Sequence, residues 1–168
     1  MAWFPERDSL VVFNNDRLIE LPRTTNEWTA LGSSLGESHD IHTYAEYSPV
    51  DQIILFGGGY ASSYKRSFFK VNAAGTITAV ASPPFDIEEA GDSPILMADP
   101  VNGDFLVLTP TDGLWKYDVG ADSWSQLQTF AQTFDRLETI GGCIPEYAVC
   151  MFIDAHGAVP ATTWLYKL

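Results

Sequence analysis

Residues 38–47, "SHDIHTYAEY", contain two histidines and two carboxylates at a spacing that could support acid–base or metal chemistry. Alternate side chains of a strand point to the same face, so Asp40, His42 and Glu46 would lie on one side of it. A histidine beside carboxylates can bind a first-row metal or transfer protons as a general acid or base. These three residues are the candidate catalytic residues, and the alternative is a solvated loop in which His42 is hydrogen-bonded locally.

A second candidate site lies in residues 57–67, "GGGYASSYKRS", a Gly- and Ser-rich loop that follows an apolar strand. Two aromatic rings and two cations in one loop can hold a sugar or a peptide by ring stacking and hydrogen bonds. The candidate ligand-binding residues are Tyr60, Tyr64, Lys65 and Arg66.

The acidic segment "FDIEEAGDS" at residues 85–93 is a candidate calcium site, because Ca²⁺ prefers oxygen ligands. Its carboxylates are those of Asp86, Glu88, Glu89 and Asp92. The segment lacks the alternating spacing and central Gly of an EF-hand loop, so an exposed acidic connection is the favoured interpretation. No cofactor is predicted, and calcium at this segment is the alternative.

The two cysteines, Cys143 and Cys150, lie in "CIPEYAVC". If the residues between them form a hairpin turn, the two side chains lie opposite each other on antiparallel strands, where a disulfide can form. The favoured interpretation is two small buried thiols, and the bridge is the alternative.

The composition is typical of a globular protein with one ordinary core, since 46% of the 168 residues are apolar. The formal charge of −13 repels nucleic acid and anionic lipid. No apolar run approaches the roughly 20 residues of a membrane-spanning helix, and no charged-then-apolar N-terminal segment is present. We therefore expect no nucleic-acid or membrane partner. The acidity favours an extracellular or secreted protein.

The elements that must position these residues are short strands. Apolar and β-branched residues cluster in brief runs bounded by Gly, Pro, Asn and Asp, and no segment shows a sustained helical period. One pattern of strands recurs after each of four prolines, Pro5, Pro49, Pro100 and Pro145. A repeated four-stranded unit of about 45 to 50 residues is typical of propeller blades.

The sequence therefore predicts a single all-β domain over residues 1–168, a β-propeller built of four-stranded antiparallel blades. The last blade lacks its fourth strand. The predicted blades span residues 2–31, 42–82, 93–127 and 138–168.

Two of these units resemble kelch-type repeats, in which a strand ending in Gly-Gly precedes a Tyr and then a Trp. In "QIILFGGG" the glycines are Gly57, Gly58 and Gly59, and in "LWKYDVGADSWSQL" the aromatic pair is Tyr117 and Trp124. The resemblance implies a kelch-like or galactose-oxidase-like propeller of the kind common in extracellular bacterial proteins. The oxidases of that group use copper held by Tyr and His, with a Cys cross-linked to one Tyr. No residue-by-residue match to such a site is found here.

The resemblance also implies about six or seven blades, more than this chain supplies. We expect an incomplete ring of about four blades, whose end blades expose apolar faces and strand edges. A homodimer, or a missing propeller half on another chain, would complete the ring. A closed ring of four blades is the alternative.

Two hypotheses of function remain. The first is a binding or structural module whose loops present a site for carbohydrate or protein. The second is part of a glycan-acting or oxidising enzyme with Asp40, His42 and Glu46 at the mouth of a channel. The first is favoured, because propellers often serve as scaffolds.

Overall fold

The computed structural model describes residues 1–36, 43–58, 67–85, 94–130, 134, 139–155 and 161–168. Strands make up 58% of the structure and helices 4%, so the predicted all-β class is confirmed. Among the described residues, no helix is long and apolar enough to cross a membrane.

Four antiparallel sheets follow one another along the chain, and the strands of each sheet lie side by side in chain order. Sheet A contains β1 (Ala2–Phe4), β2 (Ser9–Asn14), β3 (Arg17–Pro22) and β4 (Thr29–Leu31). Sheet B contains β5 (Thr43–Ser48), β6 (Ile53–Gly58), β7 (Phe68–Asn72) and β8 (Ile77–Ala79). Sheet C contains β9 (Ile95–Ala98), β10 (Phe105–Thr109), β11 (Gly113–Asp118) and β12 (Ser123–Gln128). Sheet D has three strands, β13 (Thr139–Ile144), β14 (Val149–Asp154) and β15 (Thr162–Lys167).

The repeated proline opens the tight turn between the first two strands of each sheet. In sheets A and D this turn is a 3₁₀ helix, Pro5–Arg7 or Pro145–Tyr147. The N–H of the next residue donates to the proline carbonyl oxygen, at 3.0 Å in sheet A and 3.1 Å in sheet D. Proline presets φ for such a turn, which explains why the sequence repeat marks four equivalent corners. The residues that close the four turns all have left-handed backbone angles: Asp8, Gln52, Gly103 and Ala148.

The chain forms two compact units, and each unit has a core between its two sheets. Unit 1 (Met1–Asp86) contains sheets A and B, and unit 2 (Ile87–Leu168) contains sheets C and D. In unit 1 the ring of Phe56 meets Phe13 edge-on, with centroids 5.1 Å apart, and stacks on Phe69 at 5.7 Å. These side chains come from three strands of two sheets, so their burial joins sheet A to sheet B.

The core of unit 2 is built in the same way. Phe152 of sheet D is buried together with Leu106 and Leu114 of sheet C. The ring of Phe134 meets Trp164 of β15 edge-on, with centroids 5.1 Å apart. Sheet D is therefore held against sheet C by one of its two faces.

The sheets differ in how many of their faces are buried. Strand β6 of sheet B and strand β10 of sheet C are buried at every position. Strands β2 of sheet A and β14 of sheet D instead alternate between buried and partly exposed residues over most of their length. Because alternate residues face opposite sides, sheets A and D each have one buried face and one outward face.

A disulfide joins Cys143 and Cys150, which lie directly opposite each other on β13 and β14. Their Cα atoms are 4.0 Å apart. The favoured sequence interpretation, two buried thiols, is therefore wrong, and the alternative holds. The physical reason is the register, since the turn at Pro145–Tyr147 brings these two residues into one cross-strand pair.

Candidate functional site

Most of the predicted site residues lie outside the described residues, so their roles stay predictions. They are Asp40 and His42 of the acid–base candidate, Tyr60, Tyr64, Lys65 and Arg66 of the ligand-binding loop, and Asp86, Glu88, Glu89 and Asp92 of the acidic segment.

Glu46 is the one predicted site residue within the described part of the chain. It lies on β5 opposite Leu55 and is partly buried. Its neighbours Ala45 and Tyr47 pack against the core of unit 1, so Glu46 points to the other face of sheet B. The Glu46 charge acts to raise the pKa of the Met1 amino group, although burial of that amine has the larger effect and lowers the pKa. Sequence reasoning missed this charged neighbour, which precedes strand β1 of sheet A.

A charged cluster in unit 1 connects the first turn of sheet A to sheet B. The guanidinium of Arg7 donates to both carboxylate oxygens of Glu20, each at 2.8 Å, and Ser9 Oγ donates to the same carboxylate at 3.3 Å. Arg7 also donates to the carbonyl oxygen of Ala73, between β7 and β8, at 3.1 Å. The hydrogen bonds from Arg7 hold the pKa of Glu20 below its usual value. The geometry supports a structural role for this cluster.

Two tyrosine hydroxyls have carboxylate partners and strongly raised pKa values. Burial and a hydrogen bond to Glu6, at 2.6 Å, raise the pKa of Tyr47 to about 12. Burial also raises the pKa of Tyr117 far above its usual value, and its hydroxyl donates to Asp122 at 2.6 Å. Both hydroxyls stay protonated at neutral pH and act as hydrogen-bond donors within the fold.

An uncharged groove of about 290 Å³ lies in unit 2, beside β15. The rings of Trp164, Phe130 and Phe134 pack in a triangle: the Trp164 centroid lies 6.3 Å from Phe130 and 5.1 Å from Phe134, and the two Phe centroids are 5.0 Å apart. Apolar rings with one amide side chain suit an apolar or extended peptide ligand better than a charged one. The residues that line the groove are Leu114, Gln128, Phe130, Phe152, Trp164, Leu165 and Tyr166.

Unit 1 has a cleft of about 370 Å³ between the end of β4 and the strands β7 and β8. Relative to sheets A and B, this cleft lies where the groove of unit 2 lies relative to sheets C and D. In this cleft, β8 supplies part of the wall through Ile77 and Ala79. The segment after β4 packs closely on β8, because a Cβ atom at Gly32 would lie 2.8 Å from Ile77 Cδ1. The other lining residues are Ser33, Ser34, Leu35 and Phe69.

The outward faces of sheets A and D are mostly apolar within the described part of the chain, and their charged residues include Arg17 on sheet A and Lys167 on sheet D. On sheet A this face carries Trp3, Leu10, Val12, Ile19, Leu21 and Ala30. On sheet D it carries Ile140, Ile144, Val149, Met151, Ile153 and Leu165. Trp3 is 45% exposed, and Ile140 and Leu165 are each 67% exposed.

A shallow hollow of about 260 Å³ lies on the outward face of sheet D. It is centred on Gly142, where an added Cβ would meet no atom within 4 Å. Isoleucine and methionine side chains surround it, so its shape and chemistry suit an incoming apolar side chain.

No protein-family model matches this chain, and no curated protein matches it. The structure is similar to a fungal alcohol oxidase of the AA5 family in complex with copper, with a TM-score of 0.69 and 8% identity over 88% of this chain and 34% of that one. It is also similar to a structural genomics protein of unknown function from Bacteroides thetaiotaomicron VPI-5482, with a TM-score of 0.57 and 16% identity over 94% of this chain and 44% of that one.

The chain thus spans about a third of the length of the fungal oxidase and less than half of the bacterial protein. Identities this low carry information about the fold alone. The two structural similarities support a propeller-like β fold. The finer resemblance to kelch repeats stays a prediction.

The described residues do not fit the copper site that the resemblance implies. Cys143 and Cys150 are bonded to each other, so neither is available to cross-link a tyrosine. Within the ranges that the structure describes, no three His, Cys, Asp or Glu side chains lie close enough together to hold a metal ion. The enzyme hypothesis therefore stays a prediction that depends on Asp40 and His42.

Proposed function

We propose that this chain is a binding or structural module with a propeller-like fold, which completes its assembly with a second copy of itself. The observation that carries this proposal is the pair of apolar outward faces on sheets A and D. In the proposed dimer, the face of sheet A on one copy packs against the face of sheet D on the other.

The size of these faces supports an interface. Three strands spaced by about 4.8 Å, each six residues long at about 3.3 Å per residue, cover roughly 300 Å². An apolar patch of that size is as large as the largest on a typical monomer and often marks an interaction surface. Two such contacts would bring the buried area toward the roughly 1,200 Å² at which stable interfaces begin.

The burial pattern of sheets B and C supports the same conclusion. Their second strands are buried on both faces, whereas the equivalent strands of sheets A and D are buried on one. Propeller blades pack face to face around a ring, so a blade with one unburied apolar face lacks a neighbour. The second copy would supply that neighbour.

The ligand proposed for the module is carbohydrate or protein, bound at the loop that carries Tyr60, Tyr64, Lys65 and Arg66. An extracellular location is proposed with it. The acidic composition and the disulfide between Cys143 and Cys150 support this location, because disulfides persist in oxidising compartments.

Sedimentation equilibrium of the purified protein tests the proposed dimer. We expect the mass of two chains for the wild type, and the mass of one chain for Ile140→Glu, which places an unpaired charge in the interface. Tyr147→Glu is the matched control: Tyr147 is 75% exposed and belongs to the turn of sheet D rather than to its outward face.

The control should remain dimeric, because its side chain does not take part in the proposed contact. A wild-type mass of one chain throughout the concentration range would exclude the dimer. Equal dissociation by Ile140→Glu and Tyr147→Glu would show that the outward face is not the interface.

A further inference from the structure

The corner between β9 and β10 contains the pair Asn102–Gly103, and Asn followed by Gly occurs nowhere else in the chain. The turn itself does not require glycine at this place. In the other three corners the equivalent left-handed residue is Asp8, Gln52 or Ala148, with φ of 47°, 54° and 50°. The pair therefore gives the corner of sheet C a chemistry that the fold does not need.

Asparagine followed by glycine is the pair of residues most prone to spontaneous deamidation in water. The backbone nitrogen of the glycine attacks Cγ of the asparagine side chain, and the glycine has no Cβ to block the approach. A bond forms between this nitrogen and Cγ, the Cγ–Nδ2 bond breaks, and ammonia leaves with the proton of the attacking nitrogen. Water then opens the cyclic imide to aspartate or isoaspartate, and the ammonia takes up the proton that the new carboxyl group releases. Water is the one co-reactant.

One buried residue, Asp99, holds both reacting groups of this pair. Its Oδ2 accepts from Asn102 Nδ2 at 3.1 Å, which fixes the carboxamide. Its carbonyl oxygen accepts from the N–H of Gly103 at 3.0 Å, which keeps the proton on the attacking nitrogen. Asp99 is 3% exposed and Gly103 is buried, whereas Asn102 is exposed to water. The attacking group and the leaving group are therefore both engaged while the corner is closed.

The carboxylate of Asp99 is itself fixed by the corner. Its Oδ1 accepts from the N–H of Val101 at 2.7 Å and from the N–H of Asn102 at 3.1 Å. The N–H of Asp99 donates to the carbonyl oxygen of Asp104 at 2.7 Å. In the other three corners the residue before the proline has no carboxylate. The reactive pair and the residue that holds it thus occur together, in one corner of the four.

We propose that Asn102–Gly103 is a site of spontaneous deamidation, which Asp99 keeps unreactive while the corner of sheet C is closed. Local opening of the corner breaks both hydrogen bonds and allows the imide to form. The product carries a carboxylate where Asn102 Nδ2 donated to Asp99. Two carboxylates at this distance repel each other, so the corner does not close again in its original form and the modification is one-way. The site lies away from the outward faces, so it does not depend on the proposed dimer.

Peptide mapping by mass spectrometry measures conversion at Asn102 over time in the full chain at neutral pH. We expect conversion in the folded wild type to be at least about tenfold slower than in the same chain unfolded by urea, because unfolding removes both hydrogen bonds to Asp99. Asn72 in unit 1 is followed by Ala73 and serves as the internal reference site.

Asp99→Asn tests the carboxylate itself. The new side chain keeps one oxygen to accept from the N–H groups of Val101 and Asn102, but its amide group replaces the oxygen that holds Asn102 Nδ2. It creates no second reactive pair, because the nitrogen of Pro100 has no hydrogen to lose. We expect conversion at Asn102 to be about tenfold faster than in the wild type, with the rate at Asn72 unchanged.

Thr139→Val is the matched control within unit 2. Thr139 Oγ1 donates to the carboxylate of Asp154 in sheet D at 3.0 Å, so this substitution also removes one hydrogen bond to a carboxylate and leaves the corner of sheet C intact. We expect conversion at Asn102 to stay within about twofold of the wild type. Equal acceleration by Thr139→Val and Asp99→Asn would show that loosening of the whole unit, rather than Asp99, controls the reaction.

Two substitutions test the effect of the product. Asn102→Asp has the charge of the aspartate product, whereas Asn102→Ala removes the carboxamide without adding a charge. We expect urea denaturation to give a lower midpoint for Asn102→Asp than for Asn102→Ala, because Asn102→Asp alone places a second carboxylate beside Asp99.

Three results would overturn the proposal. The first is equal conversion at Asn102 in the folded and the unfolded wild type. The second is no greater acceleration by Asp99→Asn than by Thr139→Val. The third is a urea midpoint for Asn102→Asp that is as high as the midpoint for Asn102→Ala. The first and third results do not depend on how Asp99→Asn folds.

Discussion

Units 1 and 2 are built from the same parts and differ most at their last strand. In unit 1, β7 is followed by β8, and the side chains of Phe69 and Val71 are buried. In unit 2, β15 has no described strand beyond it, and its residues alternate between partly and fully exposed. The apolar side chains Trp164 and Leu165 thus belong to a strand that is as hydrophobic as β7 and much less buried.

The difference teaches that exposure in this protein follows from strand pairing rather than from composition. The sequence "WLYKL" has the same apolar character as "FFKVN", yet its burial is lower: β7 has a described strand on each side, whereas β15 has one described neighbour and an uncovered outward face. Substitutions at equivalent residues of the two units should therefore have unequal effects.

The largest effect is expected from the equivalent core residues Phe56 and Phe152, which are 0% and 1% exposed. Phe56→Ala should lower the free energy of unfolding by about 3–5 kcal/mol, because it leaves a cavity at a fully buried position that does not line the cleft of unit 1. Phe152→Ala should lower the free energy of unfolding by less, because Phe152 already lines the groove of unit 2. Urea denaturation measures both, and an equal or larger cost for Phe152→Ala would contradict the comparison.

Reduction of the disulfide should affect unit 2 alone. The bridge between Cys143 and Cys150 closes a short loop, for which the loss of chain entropy in the unfolded state predicts about 2–3 kcal/mol. The measurement is amide hydrogen exchange with and without reductant. We expect faster exchange in β13 and β14 and unchanged exchange in β2 and β6. Uniform acceleration in both units would argue against a local effect.

The ion pairs of the two units should respond at opposite ends of the pH scale. Hydrogen bonds from Arg7 lower the pKa of Glu20 below its ordinary value of 4.5. The stabilisation from this ion pair is therefore complete above pH 4.5 and is lost as the pH falls through the pKa of Glu20 in the folded protein. Glu20→Gln should lower the free energy of unfolding by about 1–3 kcal/mol at pH 7.

In unit 2 the hydrogen bond to Asp104 raises the pKa of Lys116 above its ordinary value of 10.5. The stabilisation from this ion pair is complete below pH 10.5 and is lost as the pH rises through the pKa of Lys116 in the folded protein. Thermal melts from pH 3 to 7 should therefore lose part of their pH dependence for Glu20→Gln, and melts above pH 10 should lose part of theirs for Lys116→Met.

The smallest effect is expected at the turns that open sheets B and C. The carboxylate of Asp99 accepts from the N–H of Val101 at 2.7 Å and from the N–H of Asn102 at 3.1 Å, whereas Ser48 Oγ accepts from Asp51 at 3.4 Å. Asp99→Ala should lower the free energy of unfolding by about 1–2 kcal/mol, and Ser48→Ala should lower it by less than about 1 kcal/mol. A larger cost for Ser48→Ala in urea denaturation would show that burial at this position outweighs the hydrogen bond.

Much of the fold could be predicted from local patterns. Pro5, Pro49, Pro100 and Pro145 each open the turn between two strands. Gly57, quoted for the resemblance, has a φ of 148°, and a side chain there would collide with the Ser67 carbonyl oxygen and lie 2.8 Å from the Cα of Phe68. The short apolar runs became the strands.

The candidate sites could be predicted far less well. The groove of unit 2 combines Leu114, Phe130 and Tyr166, which are far apart in the chain, and no local pattern relates them. The pair Arg7 and Glu20 depends on the pairing of strands β2 and β3. The state of Cys143 and Cys150 depended on a register that the sequence left open between two alternatives.

The amino-acid sequence by itself determined the strands, the proline-opened corners and the number of sheets, because these depend on interactions within a few residues. Only the tertiary structure decided which faces are buried and which cysteines meet. Those properties depend on which distant strands become neighbours, and the free energy of that choice comes from burial summed over the whole core.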